Sequence, residues 1–332
     1  MTLAPPLLPT GSRPLDFLAV GEASLDTICL TETFPVPDSK QRAHGIGQFP
    51  GGQAATVAVG VARLGFRAGY AGALGDDAAG RQISAVLEGA GVTSHAVVRL
   101  GVSTRTAIVV VDAASGGRAV IESRDRRLDL GAGEISDEVW PSARIVLVDA
   151  TDIVLAIRAA SLARASGART VVDIDLPRAR AVELLNYIDV VIAPGAFFTE
   201  LTGLPETARA LTELARSLPQ AFAVVATLGQ NGALAWSGGS VREVRAEKVR
   251  AVDTTGAGDA YRAGFVAGWL RAAAAQPDAP AAGVAHFHPE RELEYLLRLA
   301  AKSAALNCRA VGAQTALPTR AELFGPEPGH RV

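Results

Sequence analysis

Asp259 follows three small residues, Gly256, Ala257 and Gly258, and precedes an apolar stretch. This pattern predicts a helix that begins near Asp259, where unpaired backbone N–H groups and the positive end of the helix dipole favour an anion. The glycines would let a phosphate approach the backbone, because they have no side chain. A carboxylate held there could accept a hydroxyl proton while the N–H groups stabilise a transferring phosphoryl group. The alternative is that Asp259 only caps the helix.

A second glycine-containing segment, PGGQAATVAVGVARLG at 50–65, also predicts the start of a helix. Its alanines recur on one helical face, which would pack closely against a sheet. Gly51 and Gly52 leave backbone groups and the Gln53 side chain facing outwards at the helix start, an arrangement that suits the hydroxyls of a sugar. Taken alone, the pattern is unspecific, because glycine before an alanine-rich helix is common in α/β proteins.

The elements that must position these segments alternate along the chain. Short apolar runs typical of buried parallel strands occupy 17–21, 144–149, 170–174, 188–193 and 222–228. Amphipathic stretches such as 153–166 and 207–218 lie between them, which predicts right-handed crossovers with helices on both sheet faces. The expected fold class is therefore α/β, with a doubly wound, mostly parallel sheet.

Two stretches, about 26–49 and 96–123, break this alternation. They predict antiparallel strands, and the second has a hairpin turn at Ser115, Gly116 and Gly117. These strands could form a small lid that closes over a substrate and excludes water; the alternative is a decoration at the edge of the sheet. We expect a disordered tail at 1–15, because its prolines indicate a loose segment, and one domain at 16–325.

The composition excludes several classes of partner. A net charge of -2 over 332 residues offers no basic face to nucleic acid, so no nucleic-acid partner is expected. The two cysteines, Cys29 and Cys308, match neither a zinc site nor a secreted disulfide framework, which predicts reduced thiols. No run approaches the roughly 20 apolar residues of a membrane span, and 1–16 lacks the pattern of a signal peptide. We therefore expect a cytoplasmic protein without a membrane partner.

The segments DTTGAGD at 253–259 and GGQAATVAVGVARLG at 51–65 resemble the two signature regions of the PfkB family of carbohydrate kinases. Similar segments at 21–27 (GEASLDT), 227–236 (TLGQNGALAW) and 308–319 (CRAVGAQTALPT) extend the resemblance over nearly the whole chain. The resemblance implies a ribokinase-like fold, with a Rossmann-like sheet and a small β-sheet lid. It also implies transfer of the γ-phosphoryl group of ATP, with Mg²⁺, to a hydroxyl of a small sugar, and it leaves a K⁺ requirement open.

The resemblance also assigns roles to single residues. Asp259 matches the base, and Gly256, Ala257 and Gly258 match the anion hole. Asp26 matches an aspartate at the lid hinge that binds sugar hydroxyls, and the alternative is a capping or turn aspartate. The remaining matches are the sugar-contacting pair Gly51 and Gly52, the phosphate-side residues Thr227, Gly229 and Thr254, and the adenine-side residues Ala304, Asn307 and Cys308.

Some positions near the predicted sugar site depart from the family pattern. Thr56 stands where many members have Asn, so a hydroxyl replaces an amide there. The resulting GGxAAT form is nearer to ketohexokinase-like and sulfofructose-kinase-like members. Lys40 and Arg105, in or beside the lid segments, are further candidates for substrate contact, and solvated side chains are the alternative.

A further departure concerns the metal. Gly195 and Phe198 occupy places where the family commonly has Asn and Glu. Glu200 is displaced by two positions, which on a helix turns it about 200° away. No residue is therefore assigned as a metal ligand, and Mg²⁺ is expected to be held mainly by the nucleotide and water.

Three functions remain open. The first is an ATP-dependent kinase that acts on a ketose, a sugar acid or a sugar phosphate. The second is a nucleoside kinase of the same fold, because the sequence alone does not locate the aromatic pair that would hold a nucleobase. The third is a non-catalytic sensor of sugars or nucleotides, which the missing Asn-x-x-Glu motif favours and Asp259 with its anion hole opposes. Lid strands in this family often pair between subunits, so the resemblance leaves a homodimer through the lid open.

Overall fold

The computed structural model describes residues 7–8, 11–114, 117–131, 133–274 and 289–326. The strands in these ranges are β1 Leu15–Val20, β2 Ser24–Thr31, β3 Ala43–Gly51, β4 Ala68–Gly75, β5 Thr93–Arg99, β6 Thr106–Asp112, β7 Arg118–Ser123, β8 Ala143–Asp149, β9 Arg169–Asp173, β10 Val190–Pro194, β11 Ala223–Thr227, β12 Ala233–Ser237 and β13 Ser240–Val244. The helices are α1 Gln53–Arg63, α2 Ala78–Gly89, α3 Ile153–Ala165, α4 Ala181–Leu185, α5 Gly195–Thr202, α6 Thr207–Ser217, α7 Ala257–Ala274, α8 Pro289–Asn307 and α9 Arg320–Phe324. None of the helices in the described ranges is long and apolar enough to cross a membrane.

The strands form two sheets. In the described residues the large sheet has nine strands in the order β13-β12-β11-β10-β9-β8-β1-β4-β5, and the small sheet has four in the order β3-β2-β6-β7. In the large sheet, β1, β4, β5 and β8 to β11 run parallel, and β12 and β13 continue the sheet antiparallel at one edge. This is the predicted doubly wound, mostly parallel sheet with a second small sheet, which is termed the lid below.

Hydrophobic cores cover both faces of the large sheet. On one face α1, α7 and α8 bury residues such as Val57, Phe265 and Leu297. On the other face α3 to α6 bury residues such as Leu155 and Leu211. The central strand β8 is buried at every residue, as expected for a parallel strand with helices on both sides. The carboxyl ends of β1, β8 and β9 meet at one edge of this sheet, where the chain leaves β1 for the lid.

The lid is smaller than the sequence pattern suggested. Residues Thr93–Arg99 form β5, which pairs with β4 at the edge of the large sheet, so the lid strands of the second segment begin only at Thr106. Residues 93–99 are exposed or half-buried along their whole length, so their sequence does not separate an edge strand from a lid strand. The predicted turn residues Ser115 and Gly116 lie outside the described residues, and β6 and β7 on either side of them pair antiparallel.

The expected disordered tail at 1–15 lies partly outside the described residues. Where the chain is described, Leu7 packs against the core, and Arg13 donates hydrogen bonds to the backbone carbonyls of Pro141 and Ala143. Leu15 is already the first residue of β1. The end of this segment therefore differs from the expectation, because its order depends on contacts with residues far along the chain.

Candidate active site

The loop before α7 is held by a buried carboxylate. Asp253 accepts hydrogen bonds from the Thr255 N–H (2.8 Å), the Thr255 hydroxyl (2.7 Å) and the Gly312 N–H (2.9 Å). Gly256 has a φ of 74°, and a Cβ on it would lie 2.7 Å from Ala313. Only glycine fits this position without strain. The loop therefore presents the N–H groups at the start of α7 in a fixed arrangement that can hold an anion.

Asp259 lies in the first turn of α7 and is half-buried. Its carboxyl group lies within hydrogen-bonding range of the Asp173 carboxyl group, at the end of β9. Burial raises the pKa of Asp259 to about 7, and the positive charge of Arg262 opposes this rise. A carboxyl group with such a pKa is suited to accept a proton near neutral pH.

The predicted sugar-side residues lie where the lid joins the large sheet. Asp26 of β2 is 7% exposed, and its Oδ1 atom is buried without a hydrogen-bond partner. A Cβ on Gly51 would lie 2.4 Å from Asp26 Oδ2, so this glycine makes room for the carboxylate. Burial raises the pKa of Asp26, although Ser24 and Arg105 favour its charged form. The structure therefore brings Asp26 and the glycine pair together at the start of α1.

Gln53 and Thr56 follow the glycine pair on α1, and both make internal contacts. Gln53 Nε2 donates to Asp173 Oδ1 (3.1 Å) and to Asp175 Oδ2 (2.8 Å). The hydroxyl of Thr56, a fully buried residue, accepts a hydrogen bond from Gln314 Nε2 (3.2 Å). Gln53 thus connects the predicted sugar side to the carboxyl groups around Asp259, whereas Thr56 lies beneath the surface of the site.

Arg105, predicted as a substrate contact, belongs to an ion-pair network at the base of the lid. Its guanidinium lies 3.1 Å from Glu22 Oε2 and 2.6 Å from Glu122 Oε2, and Nη1 lies 4.0 Å from Asp26 Oδ1. Arg124 Nε lies 3.1 Å from the other Glu22 oxygen. Burial raises the pKa of Glu22 to about 7 despite the charge of Arg105. Sequence reasoning missed Glu22, which stands next to the GEASLDT glycine that carried part of the resemblance.

The other lid candidate, Lys40, lies elsewhere. It is exposed in the connection between β2 and β3. No hydrogen bond or ion pair joins it to another residue in the part of the chain that the structure describes. The structure therefore does not bring Lys40 to Asp26. Its position fits a solvated surface side chain, the alternative to a substrate contact, better.

Two of the predicted nucleotide-side residues, Asn307 and Cys308, contact the loop before α7. Asn307 Nδ2 donates to the Thr255 carbonyl (3.2 Å), and its Oδ1 atom is buried without a hydrogen-bond partner. The Cys308 carbonyl accepts from the Val252 N–H (2.8 Å). An unpartnered buried amide oxygen can accept a hydrogen bond from a ligand donor such as an amino group. Ala304 precedes this pair on α8 and packs against the core.

Two further nucleotide candidates come from the end of β11. Thr227 is its last residue, and its hydroxyl donates to the Ala193 carbonyl (3.4 Å). Gly229 has a φ of 57° in the turn that follows. Thr254, another predicted nucleotide contact, is reached by Arg118, a lid residue that the sequence did not single out. Arg118 Nη1 donates to Thr254 Oγ1 (2.9 Å). One edge of the lid therefore touches the anion loop.

The turn after β10 has no carboxylate where metal binding was considered. Phe198 is fully buried and packs edge-to-face on Phe197, with ring centroids 5.4 Å apart. A Cβ on Gly195 would lie 2.8 Å from a Leu228 methyl group. Glu200 is exposed on α5. Among the described residues, no cluster of three or more His, Cys, Asp or Glu side chains could hold a metal ion.

The large parallel sheet beneath a four-stranded lid defines the class of the protein, a ribokinase-like α/β fold. The chain belongs to the pfkB family of carbohydrate kinases, whose family model matches residues 15–320. It is an ATP-dependent carbohydrate kinase, which transfers phosphate to a hydroxyl. The predicted family, fold class and enzyme class are thereby confirmed.

Individual relatives include a fructokinase and a nucleoside kinase. The fructokinase of Escherichia coli is 30% identical over 293 residues, which cover 82% of this chain and 90% of that protein. A nucleoside kinase of Methanothermobacter thermautotrophicus is 28% identical and covers 79% of this chain and 85% of its own. The crystal structure of fructokinase with bound ATP from Xylella fastidiosa has a TM-score of 0.74 at 24% identity, with 93% of this chain and 96% of that chain covered.

Proposed function

We propose that this kinase phosphorylates a ketose or a related sugar acid or sugar phosphate, and that Asp259 is the base that activates the acceptor hydroxyl. The observation that carries the assignment of the base is the position of Asp259, in the first turn of α7 beside the loop that Asp253 holds. The fructokinase relatives favour a ketose as the first candidate. The family also includes a nucleoside kinase, so a nucleoside is the second candidate.

In the proposed reaction, Asp259 takes the proton of the acceptor hydroxyl as its oxygen bonds to the γ-phosphorus of ATP. The bond from that phosphorus to the bridging oxygen of ADP breaks, and the phosphoryl group passes to the acceptor. The N–H groups at Gly256, Ala257 and Gly258 would stabilise the charge on the phosphoryl oxygens, and the Ala257 N–H would share its hydrogen with the Thr254 carbonyl, to which it donates at 3.2 Å. A pKa of about 7 leaves a large share of Asp259 ionised at neutral pH, and therefore able to accept the proton.

For the acceptor, we assign Asp26, Gly51 and Gly52 to sugar binding. The unpartnered Oδ1 of Asp26 would accept a hydrogen bond from a sugar hydroxyl, and such a bond to a charged oxygen is strong and directional. Arg105 lies 4.0 Å from the same oxygen and supports the charged form. The glycine pair leaves the backbone at the start of α1 open to a second hydroxyl.

For the nucleotide, Thr227, Gly229, Thr254, Ala304, Asn307 and Cys308 remain the proposed contacts. The buried Oδ1 of Asn307 needs a donor, which the amino group of an adenine could supply. Mg²⁺ would offset negative charge on the phosphates. The protein residues at the turn after β10 offer it no carboxylate, so the nucleotide and water are its proposed ligands.

We also propose a homodimer through the outer face of the lid. Ile46 is 70% exposed, Ile108 53% and Ile121 68%. Ile108 and Ile121 are direct cross-strand partners. The pairing registers place all three on one face, opposite to the buried residues Ile28 and Val109. A second copy of the same face would cover these side chains. Light scattering should give a dimer mass for the wild type and a monomer mass for Ile108→Lys.

An ADP-release screen tests the substrate assignment. Initial rates are measured with ATP and a panel of ketoses, aldoses, sugar acids, sugar phosphates and nucleosides, with K⁺ present or replaced by a larger organic cation. We expect the highest kcat/KM with a ketose or an acidic ketose derivative. The highest value with a nucleoside would overturn the sugar assignment, and no turnover on any member would favour the sensor. The same screen with Asp259→Asn, prepared identically, measures the background, and turnover above that background belongs to this protein.

A further inference from the structure

Two buried charges lie beside the proposed base and have no part in the proposed reaction. Arg262 follows Asp259 by three positions on α7 and is 3% exposed, and Asp173 is fully buried. Arg262 Nη2 lies 2.6 Å from Asp173 Oδ1 and also donates to the Ile192 carbonyl (2.8 Å). A buried ion pair is weak evidence for stability, because removing two charges from water costs about as much as their attraction returns. Its position beside Asp259 suggests another use.

The two oxygens of Asp173 have different surroundings. Oδ1 faces two donors, Arg262 Nη2 and Gln53 Nε2, whereas Oδ2 is buried with no donor at all. A proton on a carboxyl group resides on the oxygen that accepts no hydrogen bonds. That oxygen can then donate to Asp259, whose carboxyl group lies within hydrogen-bonding range. Two carboxylates so close in a buried place do not both ionise.

The geometry points to Asp173 and Arg262 as positioning residues for the base: Asp173 shares one proton with Asp259, and Arg262 balances the single negative charge that the pair keeps. The inference rests on the proposed role of Asp259. During transfer, the O–H bond of the acceptor breaks and its proton moves to Asp259, while Asp173 retains its own proton. The proton on Asp259 leaves to solvent after the products dissociate, and no other group changes its charge.

Arg262 also lies close to the anion loop. A Cβ on Gly258 would lie 2.9 Å from Arg262 Nη1, so the guanidinium packs against the backbone that would hold the phosphoryl oxygens. Gln53 joins the same cluster from the sugar side. The charged groups that act on the pair are Arg262 on α7, Asp175 after β9, Asp149 at the end of β8 and Arg118 on the lid. Burial raises the pKa of Asp173 well above its usual value, and Arg262 counters this effect.

Two substitutions should move the pH dependence of kcat/KM by different amounts. Arg262→Gln removes the positive charge, which should raise the pKa of Asp259 and shift the acid limb to higher pH by about one to three units. Asp173→Asn replaces the protonated carboxyl group by a neutral but weaker donor towards Asp259, so the limb should shift to higher pH by less than about one unit. Arg262→Lys retains the charge and should restore most of the wild-type profile.

A matched control separates this role from a structural one. Arg164, whose side chain is 34% exposed, forms an ion pair at 2.6 Å with the buried Asp189, away from the site and beside the amino end of β10. Arg164→Gln should lower the melting temperature without moving the acid limb. The positioning role is wrong if Arg262→Gln and Asp173→Asn each lower the rate by a constant factor at every pH. The acid limb would then stay where it is in the wild type, as is expected for Arg164→Gln.

An infrared measurement tests the shared proton without any turnover. At neutral pH the wild type should show the C=O stretch of a protonated carboxylic acid that is absent from Asp173→Asn. An identical spectrum for the two proteins would overturn the proposal, even if Arg262→Gln fails to fold. Because this readout needs no substrate, it also separates failure of the shared proton from failure of the proposed sugar kinase reaction.

Discussion

The loop before α7 and the lid differ in how they are held. The loop is fixed by three hydrogen bonds to the buried Asp253 and by a glycine against Ala313. The lid exposes isoleucines on its outer face and touches the loop through the exposed side chain of Arg118. The part that stabilises developing charge gains from rigidity, because fixed dipoles need no reorganisation during the reaction. In the proposed reaction the lid admits the substrate, and it would then have to open and close.

The largest expected effect tests the rigid side. Asp259→Asn should keep the fold and ATP affinity but lower kcat by about 10²–10⁴-fold, the usual contribution of a general base. Titration calorimetry with ATP and a thermal melt check the first part, and steady-state rates check the second. Asp125→Asn, at an exposed ion pair near the lid, serves as the control. A kcat within threefold of the wild type would reduce Asp259 to a helix cap.

The next effect tests the lid side. Asp26→Ala should raise KM for the sugar by about 10–100-fold and leave KM for ATP within about twofold, because hydrogen bonds to a charged oxygen contribute about 1.5–3 kcal/mol. Glu32→Ala removes an exposed carboxylate just after the same strand and should change neither constant. Equal losses for both ligands would contradict a sugar-specific role for Asp26.

A third effect concerns the magnesium requirement, which depends on the turn after β10. Half-saturation should require about tenfold more free Mg²⁺ than in a family member with the complete Asn-x-x-Glu motif, since losing a group that orients the waters of a metal costs about 10–100-fold in affinity. Initial rates against free Mg²⁺ at saturating ATP give the value. Restoring the motif is a poor test, because Gly195→Asn would meet Leu228 and Phe198→Glu would bury a charge. If half-saturation needs no more free Mg²⁺ than in that member, another carboxylate orients the waters of the metal.

The smallest expected effect tests the contact between the two regions. Arg118→Gln should raise KM for ATP by about two- to fivefold, because an exposed charged contact contributes up to about 1 kcal/mol. The hydrogen bonds to Thr254 would be weakened, and with them the closure of the lid over the phosphates. Arg42→Gln, an exposed lid arginine before β3, is the matched control. No difference between the two variants would mean that this edge of the lid closes without Arg118.

Much of the fold follows from local sequence. Strands such as β8 and β11 are short apolar runs, because a parallel strand covered on both faces has no polar side. The helix start near Asp259 could also be predicted, since glycines and a carboxylate before an apolar stretch are typical of the first turn of a helix. The edge strand β5 was assigned to the wrong sheet, because an edge strand and a lid strand are both partly exposed and the sequence does not separate them.

The surroundings of the site could not be predicted from local sequence in the same way. Thr56 and Gln53 were expected to face the sugar; the structure buries Thr56 against Gln314 and joins Gln53 to two carboxylates. Glu22 gave no local signal, because its partners Arg105 and Arg124 are distant along the chain. Side-chain burial and pairing depend on which elements pack together, and no single segment contains that information.

By itself, the sequence determined the class of protein and predicted the glycine-containing loop before α7, because backbone conformation and helix starts are local properties. Tertiary structure alone decided the environment of Asp259. The ion pair between Arg262 and Asp173 forms only when α7 packs over the carboxyl end of β9. Removing these charges from water then changes the pKa of the carboxyl groups around them.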